Sequence, residues 1–277
     1  MNDSNGSAGH GARSRTRSGK AIETCGIAVM AKASAPGRAK TRLVPPLTFD
    51  EAAELNTAFL KDVTDNIALA GSRAAPGASI AGYAAYGPPG SEDFFHQHFP
   101  AVGLITAWLP NFGACLLHTI EELLARGHQA AVVLNSDSPT LPTALLNETA
   151  ELLARPGDRA VLGPSNDGGY YLLGLKAAHR RVFEDIAWST ERVAEQTRER
   201  AREIGLKLHE LPTWYDVDDI ESLRQLDREI GGSDPPCVDD YKPHQARHTA
   251  ALLERLWPEG DFRRRVEGFK QAERAAV

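Results

Sequence analysis

The chain has little cysteine, no long apolar run and no excess of positive charge, and each shortage excludes something. Cys25, Cys115 and Cys237 are the three thiols in 277 residues. Such wide spacing makes neither a disulfide framework nor a zinc knuckle, so reduced packing or surface residues are expected. His96 with His98, and His244 with His248, have metal-like spacing but no third ligand nearby, which argues against zinc. No segment reaches the roughly 18 uninterrupted apolar residues of a membrane-spanning helix. The formal net charge is −6; Arg13, Arg15, Arg17 and Lys20 face only Asp3 in residues 1–20, so the remainder carries about −9. An acidic body of that kind does not suit broad nucleic-acid binding, and no nucleic-acid or membrane partner is expected.

What is present is enough apolar residue, 42%, to bury one full-sized core or one domain with an appendage. Residues 1–20 are Gly/Ser/Arg-rich without the apolar run of a secretory signal, and read as a disordered leader on a cytoplasmic protein. From residue 21 to 230 apolar runs alternate with helical periodicity. Ile27–Ala31, Ser79–Tyr86, Ala130–Leu134, Ala160–Gly163, Tyr170–Leu175 and Leu206–Leu208 are the predicted strands. Helices are predicted over Thr48–Ala70, Gly113–Arg126, Pro142–Ala154 and Ser189–Ile204. That alternation predicts an α/β layered sheet with helices on both faces. After Gly231-Gly232-Ser233-Asp234-Pro235-Pro236 the pattern breaks, and residues 231–277 form an appendage with one more helix over His244–Trp257.

Three segments carry chemistry. In the first, a strand runs into a loop holding Lys32, Gly37, Arg38, Lys40 and Arg42, followed by a hydroxyl-capped helix at Thr48. The carboxyl edge of an open α/β sheet is the usual ligand crevice, and cations converging there neutralise a di- or triphosphate. In the second, Asp137 follows a buried strand and is a candidate ligand for Mg²⁺ or Mn²⁺, hard cations that take carboxylate oxygens and keep several waters. In the third, Asp216 and Asp218 lie on one face of an extended segment and can share that ion. Gly168 and Gly169 before a strand allow close backbone approach to a ligand, and Asp167 is placed to take an acceptor hydroxyl. Trp188 and Ser189 pair an aromatic face with a helix amino terminus. Each segment also has a plain architectural use: a solvated basic loop, an Asp or Asp-Gly turn, a cap from Asp218 or Asp219, a packing tryptophan.

Five ordered segments resemble the bacterial transferases associated with radical-SAM/selenodomain proteins (transferase 1), within the nucleotide-diphospho-sugar transferase superfamily. They are Met30-Ala31-Lys32 with Pro36–Leu43, Ser136–Pro139, Asp167–Gly174, Trp188–Thr190 and Trp214–Asp218, spread over Ile27 to Leu226. The resemblance implies a glycosyltransferase-A-type, Rossmann-like single domain with a mixed, mostly parallel sheet and a nucleotide at its carboxyl edge. Lys40-Thr41-Arg42-Leu43 is also similar to the loop of 2-phospholactate guanylyltransferases, and Asp216-Val217-Asp218 to the end motif of sugar and molybdenum-cofactor nucleotidyltransferases. Lys32 to Gly37 has one glycine and a proline where those nucleotidyltransferases commonly have a paired-glycine loop, which favours a diphosphate donor.

The resulting expectation is a metal-dependent glycosyltransferase using a nucleotide sugar and a small-molecule acceptor. Lys32, Gly37, Arg38, Lys40 and Arg42 would hold phosphate, Asp137 with Asp216 or Asp218 the metal, and Asp137, Asp167 and Lys40 the chemistry. Gly168, Gly169, Tyr170, Trp188 and Ser189 would line the substrate pocket. Nucleotidyl transfer from an NTP to a phosphorylated or phosphonate small molecule uses the same site, and the density of cations suits its triphosphate. A non-catalytic nucleotide sensor is the third alternative.

Overall fold

The computed structural model describes residues 23–75, 78–232, 238, 240–256 and 264–268. The proposed leader, Cys237, Trp257 and the Ser233–Pro236 break lie outside them. The remaining chain forms a seven-stranded sheet in the order β3-β2-β1-β4-β6-β5-β7. Its strands are β1 (Glu23–Lys32), β2 (Ala78–Gly87), β3 (Gly103–Thr106), β4 (Ala130–Leu134), β5 (Ala160–Pro164), β6 (Tyr170–Leu175) and β7 (Leu208–Glu210). β6 is antiparallel to both its neighbours, and every other pairing is parallel. The fold is thus a mixed, mostly parallel α/β sheet, as expected. Reversal of β6 brings its amino-terminal end, Gly168-Gly169-Tyr170, to the edge where the parallel strands end.

The helices are α1 (Phe49–Ser72), α2 (Glu92–His98), α3 (Phe112–Ala125), α4 (Thr143–Ala154), α5 (Val193–Glu203), α6 (Ile220–Ile230) and α7 (Arg247–Leu256). Successive side chains of a strand point to opposite faces, so a strand covered on both sides reads as an unbroken apolar run. In β4, Val132 and Leu134 join Leu55, Phe59, Leu145 and Leu146 on one face. Ala131 and Val133 join Leu116, Ile120 and Leu123 of α3 on the other. Among the described residues no helix is long and apolar enough to cross a membrane.

The amino-terminal cap of α1 is as expected: Thr48 accepts from the Glu51 amide at 3.2 Å, and Glu51 accepts from the Thr48 amide at 2.7 Å. The predicted start of α5 is corrected. The helix begins at Val193 because Ser189 adopts a left-handed φ of 64° and Thr190 donates its hydroxyl to the Ala187 carbonyl, building a turn. β7 begins two residues later than expected, and α7 is shorter at its start. Neither β3 nor α2 is among the predicted elements.

Within the appendage, α7 packs on α1, and one buried carboxylate of α1 holds its first turn. Asp62 is 1% exposed and accepts from the amides of His248 and Thr249, each at 2.8 Å, and from the Thr249 hydroxyl at 2.6 Å. It caps an orphan helix terminus with a charged acceptor. Asp62→Ala leaves those donors buried without a partner, and is expected to lower unfolding free energy by about 2–3 kcal/mol in urea titrations.

Candidate functional site

The cationic loop and the aspartates meet across one cleft at the carboxyl edge of the sheet. The cleft encloses about 270 Å³ and is lined by Lys32, Arg38, Ala39, Lys40, Thr41, Arg42, Asn56, Ser136, Asp137 and Asp218. Lys32 ends β1 and Asp137 follows β4, its immediate neighbour in the sheet. Asn56 of α1 braces the loop by donating to the Lys32 carbonyl at 3.1 Å and the Ser34 hydroxyl at 2.8 Å. This amide, buried on α1 among mostly apolar neighbours, is a residue sequence reasoning passed over, although its polarity there was the available signal.

Lys40 is the hub. Its backbone is left-handed, with φ 50°, and only 5% of its side chain is exposed. The ammonium contacts Asp137 Oδ1 at 2.8 Å, the Val217 carbonyl at 2.6 Å and Asp218 Oδ1 at 3.4 Å, with the Phe59 ring centroid 5.0 Å away. Lys40, expected to hold phosphate, lines the cleft with its ammonium turned onto the carboxylates. Arg42, at the surface, reaches the other oxygen of Asp218 at 3.3 Å. Lys32 and Arg38 are exposed and make no ion pair among the described residues.

The two aspartate segments are laced together. The Val217 amide donates to the Asp137 carbonyl at 2.8 Å, and the Ser138 hydroxyl to the Tyr215 carbonyl at 2.8 Å. The Ser136 hydroxyl donates to Asp137 Oδ1 at 3.0 Å. Asp219, rather than Asp218, caps α6, accepting from the Ser222 amide at 2.8 Å. Capping and site chemistry therefore fall on different acids.

Asp216 makes no ion pair among the described residues. Burial, then the carboxylates of Asp167, Asp218 and Asp137, push its pKa up to about 7. Asp218 is raised by burial and Asp137, and pulled back by Lys40 and Arg42. Asp167 is exposed and holds the Gly169 amide at 2.8 Å. Four clustered carboxylates thus face two bound cations, Lys40 and Arg42, and the negative excess suits a divalent ion.

The carboxylates alone do not make a complete metal cage. Asp218 has one oxygen on Lys40 and the other on Arg42. Asp216 and the second oxygen of Asp137 are left to face a metal. Among the described residues no group of three or more His, Cys, Asp or Glu side chains is arranged to hold a metal ion. Mg²⁺ commonly uses one or two carboxylates and completes its shell with water and substrate phosphate, so this donor set fits.

The Gly168-Gly169 reading is corrected in part. Gly168 has φ 86°, and a β-carbon there would stand 2.0 Å from the Glu191 carbonyl oxygen, so its close approach is to the chain's own backbone. Tyr170 meets Trp188 edge-on with centroids 6.5 Å apart, and its hydroxyl is buried without a hydrogen bond among the described residues. Trp188 and Ser189 sit on a turn, not at a helix amino terminus. No helix terminus stands at Trp188, whose ring instead packs against Gly113, Phe112 and Tyr170.

Comparison with known proteins adds the following. A model described as an uncharacterized protein conserved in bacteria (DUF2064) matches residues 73–190, a span that includes Asp137, Asp167 and Trp188. A crystal structure of a "putative nucleotide-diphospho-sugar transferase" from Desulfovibrio desulfuricans G20 is 27% identical, with a TM-score of 0.71, over 88% of this chain and 98% of that one. The fold is that of the nucleotide-diphospho-sugar transferases. A CMP:2-keto-3-deoxy-manno-octonic acid synthetase complexed with CTP is 10% identical with a TM-score of 0.49, over 76% of this chain and 100% of that one. A cytidylyltransferase from Leptospira borgpetersenii serovar Hardjo-bovis is 11% identical with a TM-score of 0.46, over 86% and 96%. No curated protein matches the chain.

The raised pKa of Asp216 has a sign. The folded protein keeps this proton up to pH of about 7, whereas an unfolded aspartate releases it near 3.8. The unfolded state therefore binds fewer protons between these values, and stability falls as pH rises through that window. In metal-free protein the melting temperature is expected to drop from pH 4.5 to 7 more steeply in wild type than in Asp216→Asn, as read by differential scanning calorimetry. Parallel profiles would remove the carboxylate crowding inferred at Asp216.

Proposed function

We propose that the protein is a metal-dependent transferase that binds a nucleotide-sugar diphosphate in this cleft and passes the glycosyl group to a small-molecule acceptor. The observation that carries the reading is the opposition of two charge sets in one cleft. Exposed, unpaired Lys32 and Arg38 stand on one side. Asp137 and Asp218 stand on the other, and the Asp216 carboxylate is near enough to both for their charges to raise its pKa. A diphosphate on the cations, with a divalent ion that the carboxylates would hold, would satisfy both sides. The likeness to the Desulfovibrio protein, named for nucleotide-diphospho-sugar transfer, supports the same class.

The residues divide the work. Lys32 and Arg38 bind the phosphate oxygens as charged donors, and Gly37, with φ 73°, turns the loop between them. Asp137 and Asp216 hold Mg²⁺ or Mn²⁺, which, when bound, stabilises charge on the departing nucleoside diphosphate. Lys40 orders Asp137 and Asp218 and keeps two carboxylates from repelling each other. Arg42 closes the remaining oxygen of Asp218. Asp167, exposed, accepts the hydrogen bond of an incoming hydroxyl and takes its proton. Tyr170, Trp188, Ser189 and the Gly168-Gly169 backbone form the adjoining wall.

A diphosphate donor is favoured because the loop from Lys32 to Gly37 offers one glycine and few close amides for a third phosphate. The opposing observation is the number of cations, which suits a triphosphate and nucleotidyl transfer; the product separates the two. A panel of nucleotide sugars, nucleoside diphosphates and NTPs with Mn²⁺ is expected to raise the melting temperature of wild type by roughly 5 °C or more at saturation. Asp216→Asn or EDTA should abolish the shift. Release of a nucleoside diphosphate supports glycosyl transfer, pyrophosphate transfers the assignment to nucleotidyl chemistry, and no response to any member of the panel contradicts nucleotide binding.

A further inference from the structure

Three of the five large apolar side chains that are conspicuously exposed among the described residues lie within five positions of one another. Trp108 is 55% exposed, Leu109 43% and Phe112 50%. Ordinary surfaces scatter such side chains singly, and a contiguous set marks a contact surface. The segment leaves β3 at the carboxyl edge of the sheet and enters α3.

The backbone beneath is built to present these rings. Trp108 lies against Gly87, where a β-carbon would stand 2.2 Å from the indole Cε3. Trp188 lies against Gly113, where a β-carbon would stand 2.7 Å from Nε1. Phe112 meets Trp188 edge-on at 5.5 Å between centroids. The Leu109 amide donates to Cys115 Sγ at 3.3 Å, and Asn111 caps α3 through the Ala114 amide at 2.8 Å. The result is a fixed aromatic ledge rather than a loose loop.

The ledge borders the site at both ends. Gly87, under Trp108, pairs in register with Lys32 of the cationic loop. Trp188 belongs to the turn that packs on Gly168, next to Asp167. Its exposed faces are hydrocarbon and aromatic ring, with no charged group among Trp108, Leu109 and Phe112. Such a surface gains from burying apolar area and has little with which to read the polar edge of a base.

We propose that Trp108, Leu109, Phe112 and Trp188 form the acceptor subsite, and that the acceptor carries an apolar body, alkyl or aromatic, behind the group that receives the transfer. The proposal rests on the transferase reading above, which fixes where the donor lies. The ledge also fits a lipid surface in composition, but its position between Lys32 and Asp167 favours a molecule held over the site.

The test uses n-butyl, n-hexyl and n-octyl β-glucoside below their micelle concentrations, titrated into the full chain by calorimetry. Affinity is expected to rise about threefold to fourfold per added methylene, the increment of burying one such group. Trp108→Ser with Phe112→Ser should weaken octyl glucoside at least tenfold and leave the nucleotide-induced thermal shift intact. Asp216→Asn should do the reverse, so failure of the donor site and failure of the ledge are separable. Phe112→Asp alone gives the same reading if the double variant folds poorly. Affinity independent of chain length, or unchanged by either variant, overturns the proposal. Binding to phosphatidylcholine/phosphatidylglycerol vesicles with no response to soluble glucosides also overturns it, in favour of membrane docking.

Discussion

The ammonium of Lys40 is the interaction on which the carboxyl edge depends. It sits 2.8 Å from Asp137 and 2.6 Å from the Val217 carbonyl, the latter 177 residues away in the chain. With 5% of its side chain exposed, it has given up most of its water. A desolvated charge of this kind is tolerable only when it is paired and hydrogen-bonded. The carboxylates have the complementary need, because Asp137, Asp216 and Asp218 would otherwise crowd one another. The left-handed backbone at Lys40, which costs of order 1 kcal/mol for a non-glycine residue, is maintained by these contacts.

That pairing divides the cations of the loop into two kinds. Lys40 and Arg42 are tied to acids and organise the cleft, whereas Lys32 and Arg38 remain open to a ligand. The same division runs through the acids: Asp218 has both oxygens engaged, Asp219 caps a helix, and Asp216 is left exposed to carboxylate neighbours without a counter-charge. Imbalance at a sheet edge is a physical signature of a site waiting for a charged partner.

Much of this was legible in the sequence. Ala130–Leu134 reads as a strand covered on both faces because all five residues are apolar, and the structure sends alternate residues into two separate core clusters. Thr48 announces α1 through its capping box. The cations after β1 and the aspartates after β4 follow from residue type and position at strand ends. β3 was not legible, since only Leu104 and Ile105 of its four residues are large and apolar. The start of α5 was misread because Ser189-Thr190-Glu191 has the composition of a cap but is used in a turn. Which lysine faces inward, which acid lacks a partner, and that Trp108 and Phe112 point outward are properties of three-dimensional placement. No local pattern encodes them; a tryptophan after a strand reads equally well as core.

The clamp between Lys40 and Asp137 can be measured directly by a double-mutant cycle. Urea unfolding of wild type, Lys40→Met, Asp137→Asn and the double variant gives the coupling free energy between the two side chains. A favourable coupling of about 1–3 kcal/mol is expected for a largely desolvated pair in contact. Additive effects, with coupling near zero, would mean that the ammonium does not hold the cleft together.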